Sequence, residues 1–535
     1  MKTIFFSDRN RRADFLAEDI ERKNGTKVSC LESFGQVFAG RQDGEEIEVF
    51  FIGEDEWKNL RQAVSFLKYC REKESVKSGD LQLRVFVFSS SEVARTVLDS
   101  VDPAGAEVCL IDPLEVTAQR LLWEHPLYES PDRFGAEELS VTLIGGGEAI
   151  PALEKTVQWC GRMKSYIMKL HVIGPDARAF ETEMKLRNPG LFTQMTQENL
   201  DMQERHLITP ELYLPLKLTR TLYFQADTDS EELELALDKC LASNYIIIDE
   251  GEDEKTLRTA MFVRAHFIRK HILHENYLTG GKNPVTKLPD IYVLIRDHVI
   301  ADLVPDLKVE GHPADPGNDE LRLIPFGMER DIYSVDAMVD TDFEKLARAL
   351  FPKEFGGPES SRESAKAVMP VSTRRMLCAS AVHLKYKMRD LGFVERKAED
   401  PLYREERYPE IHEASEAEIR KKIEEMRFEL AALEHQRWVI FKLCDGWIPA
   451  DDDHALRYGR LLGKGIREHR QFAGKMNAAC IEVSRLSGAG TKLCGNPSYF
   501  TAYDRETGAA TYDTLKAVWP DMKFFALSDG EPEED

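Results

Sequence analysis

Two short stretches of the chain combine residue types that small ligands require. Gly145, Gly146 and Gly147 follow the apolar run Val141 to Ile144 and lead into a helix-like segment. A turn of small residues between a strand and a helix lets backbone amides approach a phosphate, which the helix N-terminus attracts. A tightly packed turn without a ligand would need the same residues, and Ile150 stands where a third glycine is usual.

The second stretch contains Glu434, Arg437 and Trp438, with Trp447 after a glycine. Residues three and four apart share a helix face, and a glycine at the helix end would let Trp447 turn back over that face. An indole can stack on a planar base, and a guanidinium binds phosphate or carboxylate in a bidentate manner. The pattern predicts a concave site for a planar or phosphorylated molecule, and tryptophans that only pack in a core are the alternative.

The elements that must position these residues alternate between strand-like and helix-like patterns. Short apolar runs separated by amphipathic stretches are typical of βαβ units, and a second such series follows the first. The runs cover residues 3–6, 27–31, 46–52, 83–88 and 107–111, then 140–144, 170–173, 222–224, 245–248, 291–295 and 321–324. We therefore expect an α/β fold with two tandem Rossmann-like parallel-sheet units, the second doubly wound.

The composition changes after the second series. A stretch rich in Gly, Pro, Ser and Glu predicts a linker, and helical patterns at 372–391 and about 415–443 predict a mainly α-helical domain that carries Glu434. The predicted domains are 1–138 (a degenerate Rossmann-like unit), 139–352 (a nucleotide-binding Rossmann unit), a linker 353–370, a helical domain 371–528 and an acidic tail 529–535.

Charge and composition exclude several classes of protein. With 71 basic and 94 acidic residues, the net charge of −23 opposes general nucleic-acid binding. The nine cysteines lack paired spacing, which argues against a disulfide framework and a cysteine zinc site. No metal site is predicted. Because the sequence shows no secretory signal and no apolar run of about 18 residues, we expect a cytoplasmic protein.

Residues 226–233, 242–254 and 292–297 closely resemble the NAD-binding regulatory domain of Trk-type potassium-uptake systems and RCK domains. The resemblance covers about residues 140 to 300 and implies that NAD or another nucleotide is bound. Gly174 stands where the ribose-binding acid is usual, and Asp176 follows two residues later. The cofactor-binding residues implied are Gly145, Gly146, Gly147, Asp176, Asp227 and Asp249.

The stretch around Trp438, together with residues 501–504 and 512–513, resembles the ryanodine-receptor (RyR) repeat in its bacterial form. Bacterial proteins with Rossmann units ahead of such a module are described as nucleotide-sensing parts of signalling or conflict systems. The resemblance therefore implies a sensor in signalling or antiviral defence. The ligand-binding residues implied are Glu434, His435, Arg437, Trp438, Trp447 and Tyr503.

Three functions remain open from the sequence. We favour a cytosolic sensor or adaptor for a small nucleotide-derived ligand, because no catalytic residues are recognisable. An NAD-dependent oxidoreductase or nucleotide-processing enzyme is the second function, and a cytosolic gating subunit of an ion channel or transporter is the third. The partners left open are accordingly another protein, a membrane channel and a second copy of the chain.

Overall fold

The computed structural model of this chain describes a defined set of residues. They are 2–7, 10–25, 27–39, 45–72, 82–134, 136–192, 219, 221–228, 230–277, 289–304, 323–355, 369–395, 411–446 and 507–527. Most of the predicted linker and the predicted acidic tail lie outside the described residues.

The first sheet contains five strands in the order β2-β1-β3-β4-β5, and its neighbouring strands are parallel. Its strands are β1 (Lys2–Phe6), β2 (Ser29–Cys30), β3 (Glu46–Phe51), β4 (Gln82–Phe88) and β5 (Glu107–Ile111). Three central strands each place a phenylalanine on one face: Phe5 and Phe86 flank Phe50, with ring centroids 4.9 and 4.5 Å from it. Helices cover both faces of such a sheet, which explains why its strands read as continuous apolar runs.

The second sheet contains six strands in the order β11-β10-β9-β6-β7-β8. Its strands are β6 (Glu138–Ile144), β7 (Ile167–Gly174), β8 (Thr221–Gln225), β9 (Tyr245–Ile248), β10 (Asp290–Leu294) and β11 (Leu323–Phe326). Counted within this sheet, the order is 3-2-1-4-5-6, the order of dinucleotide-binding sheets. The predicted fold class, with two parallel-sheet units and helices after them, is confirmed.

Helices connect the strands and continue after them. They are α1 (Arg11–Asn24), α2 (Glu56–Glu72), α3 (Glu92–Ser100), α4 (Pro113–Glu124), α5 (Glu129–Phe134), α6 (Ile150–Cys160), α7 (Ala177–Arg187), α8 (Glu231–Lys239), α9 (Asp253–Tyr277), α10 (His298–Leu303), α11 (Glu329–Ile332), α12 (Val335–Met338), α13 (Asp342–Leu350), α14 (Val371–Val382), α15 (Leu384–Asp390), α16 (Glu416–Glu425), α17 (Arg427–Cys444) and α18 (Thr511–Val518). Within the described residues, no helix has both the length and the apolar character needed to cross a membrane.

The last part of the chain differs from the sequence-based prediction in three details. A helical element was predicted over 372–391, but His383 separates α14 from α15. One long helix was predicted over about 415–443, but Met426, with φ −104° and ψ 20°, separates α16 from α17. A small antiparallel sheet, which the sequence did not predict, joins three short strands in the order β12-β14-β13. These strands are β12 (Phe393–Glu395), β13 (His412–Glu413) and β14 (Phe524–Ala526).

The chain forms two compact units, each built from separate segments. The first unit comprises Met1–Leu121, Ile295–Asp302 and Phe326–Val382. The second comprises Leu122–Leu294, Leu303–Pro325 and His383–Asp535. The segment predicted as a helical domain thus contributes α14 to the first unit and the later helices to the second.

A network of ion pairs fastens α13 and α14 to the edge strand β5 in the first unit. Glu107 receives a 2.5 Å contact from Arg374 and a 2.6 Å contact from Arg348, and both guanidinium groups also contact Glu344. Burial alone would raise the pKa of Glu107, but the charges of Arg374 and Arg348 outweigh it and lower the pKa to about 2. The folded unit therefore favours the ionised form of this carboxyl group.

This network predicts a loss of stability in acid. The pKa of Glu107 lies below the ordinary value of 4.5, so its contribution is present above about pH 4.5 and disappears as the pH falls toward 2. We expect Glu107→Gln to lower the unfolding free energy of the wild-type first unit by about 1–2 kcal/mol near neutral pH, after allowance for partial exposure. The difference should vanish near pH 2, whereas Glu72→Gln at an exposed helix end should have little effect at either pH. Urea unfolding measured by hydrogen exchange in β5 tests this prediction. The prediction is wrong if the wild type and Glu107→Gln differ in unfolding free energy as much near pH 2 as they do near neutral pH.

Candidate functional site

The glycine turn lies where the chain order of the second sheet reverses. Strand β6 ends at Ile144 and α6 begins at Ile150, so the turn joins the first strand and the first helix of this sheet, as the sequence predicts. Strand β9 is the neighbour of β6 on the side away from β7. In open α/β sheets, ligands bind outside the carboxyl ends of the strands at such a reversal.

Asp249, directly after β9, fills the space beside this turn. Its backbone carbonyl accepts a 2.8 Å hydrogen bond from the Gly147 amide, and its carboxylate accepts bonds from the amides of Ala149 (3.1 Å) and Gly251 (3.0 Å). The residue is fully buried. A carboxylate of the protein itself therefore occupies the helix start, the position to which the helix dipole attracts anions.

This carboxylate gives the glycines a role that needs no ligand. A Cβ atom at Gly147 would overlap the Asp249 carboxylate, and one at Gly145 would overlap the Asp249 carbonyl oxygen. Gly145 also has φ +123°, a backbone conformation that side chains with a Cβ rarely adopt. Gly146 differs from both, because it is exposed and its added Cβ would lie 3.3 Å from the Pro175 side chain.

The other implied cofactor residues lie along the same edge of the sheet. Asp176 follows β7 at the start of α7, and Asp227 follows β8; both are exposed. Carboxylates at this edge can accept hydrogen bonds from ribose hydroxyl groups. The structure thus brings the glycine turn and Asp249 into contact, while Asp176 and Asp227 stand at the ends of the next two strands.

Glu250 is a residue of this edge that the sequence analysis did not select. Its carboxylate accepts hydrogen bonds from the hydroxyls of Thr228 (3.0 Å) and Thr259 (2.9 Å). Thr228 follows β8 and Thr259 lies in α9, so Glu250, which follows β9, connects the ends of two strands with α9. The sequence feature that could have identified Glu250 is its position next to Asp249, immediately after a buried strand.

The predicted ligand residues of the C-terminal part occupy a buried ion network. Glu434 receives hydrogen bonds from Arg437 at 2.7 and 3.1 Å, and it also contacts the Lys387 ammonium at 2.6 Å. Each of these three residues is at most 1% exposed. Burial would raise the pKa of Glu434, but the charges of Arg437 and Lys387 hold it well below its usual range.

The other predicted ligand residues that the structure describes, His435 and Trp438, form a separate group of contacts in α17. The rings of His435 and Trp438 stack at 6.4 Å between centroids, and the Lys442 ammonium lies 5.7 Å from the Trp438 ring centroid. Trp438 is partly exposed, unlike Glu434 and Arg437. Trp447 and Tyr503 lie outside the described residues, and their place in a ligand site stays a prediction.

Comparison with known proteins adds no assignment to this geometry. No family model, no curated protein and no solved structure matches the chain. Among the described residues, no three His, Cys, Asp or Glu side chains are grouped so that they could hold a metal ion. The sheet edge and its side chains are therefore the features of this molecule that bear on its function.

Proposed function

We propose that this protein is a ligand-responsive sensor or adaptor whose second unit binds a nucleotide-derived small molecule through a phosphate group. One observation carries the proposal: the glycine turn and the start of α6 lie at the reversal of a 3-2-1-4-5-6 sheet. Backbone amides at a helix start bind phosphate even in an acidic protein, because the interaction is local. Signalling or defence is the biological setting that the RyR resemblance suggests.

Because of Asp249, ligand binding would change the structure around the glycine turn and not merely fill an empty site. A phosphate at the helix start needs the position that the Asp249 carboxylate holds, since two anions repel strongly in a poorly solvated space. Displacing Asp249 would release its bonds to Ala149 and Gly251 and alter the connection between β9 and α9. A ligand can shift a protein between two states in this way only by its different affinity for them.

The acidic residues of the edge favour a nucleoside over inorganic phosphate. Asp176 and Asp227 are exposed after β7 and β8, on the side of β6 away from β9. A ligand that extends from the glycine turn across these strands would bring its ribose hydroxyl groups near them. We therefore include NAD, ADP-ribose and ATP among the ligands to be tested.

The first test uses substitutions at Gly146. We expect nucleotides to raise the melting temperature of the wild type and of Gly146→Ala, since bound ligand stabilises the folded state by mass action. Gly146→Glu should fold, because Gly146 is exposed, yet its carboxylate should prevent the rise by repelling phosphate from the turn. Thermal-shift measurements on the full chain with NAD, ADP-ribose, ATP and inorganic phosphate make the comparison.

Removal of the Asp249 charge, which competes with the ligand phosphate for the helix start, should strengthen nucleotide binding. Asp249→Asn keeps an acceptor for the backbone amides but removes the negative charge, so nucleotide affinity should increase about tenfold. The exposed Glu148→Gln provides a control for a general change of charge beside the turn. The proposal is wrong if none of the nucleotides stabilises the wild type or Asp249→Asn, or if Gly146→Glu binds them as the wild type does.

A further inference from the structure

A cavity of about 100 Å³ lies in the first unit, at the carboxyl ends of two adjacent strands. Ser90 follows β4 and Asp112 follows β5, and both line the cavity. The side chains that matter here are those of Ile111, Val116, Met338 and Phe343, which form apolar walls, and those of Asp112 and Glu115. The cavity thus combines an apolar surface with three carboxylates and three guanidinium groups, which belong to Asp112, Glu115, Glu344, Arg95, Arg374 and Arg375.

Asp112 is a carboxylate of this cavity that forms no direct ion pair within the described residues; the charge of Arg375, which is itself paired with Glu115, lowers its pKa only in part. It accepts hydrogen bonds from the backbone amides of Leu114 (3.0 Å) and Glu115 (3.3 Å). The Glu115 carboxylate is already engaged by Arg375 at 2.5 Å and by Gln119 at 2.9 Å. Among the described residues, no cationic side chain forms an ion pair with Asp112.

The surroundings of Asp112 make its negative charge unfavourable. Burial, followed by the neighbouring Glu115 carboxylate, raises the pKa of Asp112 to about 6. The other charged groups that face the cavity are Arg95 from α3, Glu344 from α13, and Arg374 and Arg375 from α14, of which Arg375 partly offsets the rise in the Asp112 pKa. Glu344 and Arg374 contact each other at 2.5 Å, so their charges are largely compensated. A ligand that supplies a positive charge would relieve the unfavourable state of Asp112.

We propose that this cavity is a binding site for a small organic cation with N–H donors, that is, an ammonium, amidinium or guanidinium group. The cation would form a charge-assisted hydrogen bond to the Asp112 carboxylate, and its carbon atoms would pack against Ile111, Val116 and Phe343. The site lies in the other unit from the glycine turn, so it is a separate function from nucleotide binding.

The size of the cavity limits the ligand. An apolar cavity of roughly 150 Å³ holds the six carbon atoms of benzene, so the present space of about 100 Å³ fits a group of about four to five non-hydrogen atoms. Methylguanidinium is at the upper end of that range. Water is the competing occupant, because a cavity with polar walls and this volume is normally hydrated. A cation is favoured over water because it offsets the negative charge of Asp112, which water cannot do.

The matched probes are methylguanidinium and methylurea, which have nearly the same shape but differ in charge. We expect methylguanidinium to bind the full-length wild type in calorimetry and methylurea not to bind detectably. Wild-type affinity should fall as the pH is lowered from about 7 to about 5, because protonation of Asp112 removes the charge that the cation needs. The same pH series distinguishes this site from one formed by carboxylates of ordinary pKa, which stay ionised over that range.

Asp112→Asn is the decisive variant. Asparagine retains an acceptor for the amides of Leu114 and Glu115, so α4 keeps its cap while the charge is lost. We expect an affinity loss of at least about tenfold for methylguanidinium, with the pH dependence abolished. Asp55→Asn is the control, since exposed Asp55 caps α2 through the Lys58 amide but does not line the cavity.

The proposal is overturned if the wild type binds neither probe, since the cavity then holds water only. It is also overturned if the wild type binds both probes equally, or if Asp112→Asn binds the cation as tightly as the wild type does. If Asp112→Asn does not fold, Cys378→Met fills the same cavity from α14 and should abolish cation binding; retained binding in that variant would also reject the site.

Discussion

Glu434→Gln is expected to lower the free energy of unfolding of the second unit by about 3–5 kcal/mol. The substitution leaves the ammonium of Lys387 and the guanidinium of Arg437 buried without their common carboxylate, and each is at most 1% exposed. Loss of one partner from a buried ion pair is costly because the remaining charge is neither hydrated nor neutralised. Hydrogen exchange of the α17 amides in the full chain measures the effect in this unit.

The chain contains a matched control for this prediction. Glu424 and Arg427 form a pair with the same spacing of three residues at 2.9 Å, but both side chains are more than half exposed. Glu424→Gln should therefore change the unfolding free energy by no more than about 0.5 kcal/mol. A further change of Lys387→Met in the Glu434→Gln protein should recover part of the loss, since it removes one of the two positive charges buried beside the missing carboxylate. Equal effects of Glu434→Gln and Glu424→Gln would contradict the prediction.

Gly145→Ala is expected to destabilise the second unit by at least about 3 kcal/mol, from the sum of backbone strain and overpacking. The backbone at this position has φ +123°, and the added Cβ would overlap the Asp249 carbonyl oxygen, which cannot move without disturbing the end of β9. Hydrogen exchange of the β6 and β9 amides reports this loss directly.

Substitutions at two other glycines distinguish the effect of backbone strain from that of overpacking. Gly25 has φ +63° but no atom within 4 Å of an added Cβ, so Gly25→Ala should cost about 1 kcal/mol in the first unit from backbone strain alone. Gly146 has neither a positive φ nor an overlap with backbone, and Gly146→Ala should be nearly neutral. If Gly145→Ala costs no more than Gly25→Ala, the close approach of Asp249 has no energetic role.

The strands were the most predictable part of the fold. Tyr245 to Ile248 is an apolar run of four, and the structure has a strand with the same bounds. Strands of a parallel sheet are covered on both faces, so their sequences are apolar throughout and stand out against the helices. The short strands β12, β13 and β14 contain two or three residues each, too few for a pattern. The break at Met426 also leaves no signal, because charged and apolar residues keep helical spacing across it.

The candidate site was predictable only where its residues are close in sequence. The glycine turn and the pairing of Glu434 with Arg437 follow from local spacing. Asp249 and Lys387 do not, because each reaches its partners from a distant segment: Asp249 lies about 100 residues after the turn, and Lys387 is on another helix. The cavity beside Asp112 is likewise formed by segments that meet only in the folded first unit.

The segmented first unit has a consequence for how the protein is made. Its apolar core joins Phe5, Phe50 and Phe86 to residues between Ile332 and Val339, and α14 follows later still. On the ribosome, the first five strands emerge long before the residues that complete their core. Until residue 382 has left the exit tunnel, part of an apolar surface stays exposed to chaperones and to other nascent chains. Slow translation of the intervening segment would therefore lengthen a vulnerable period rather than help the first unit to fold.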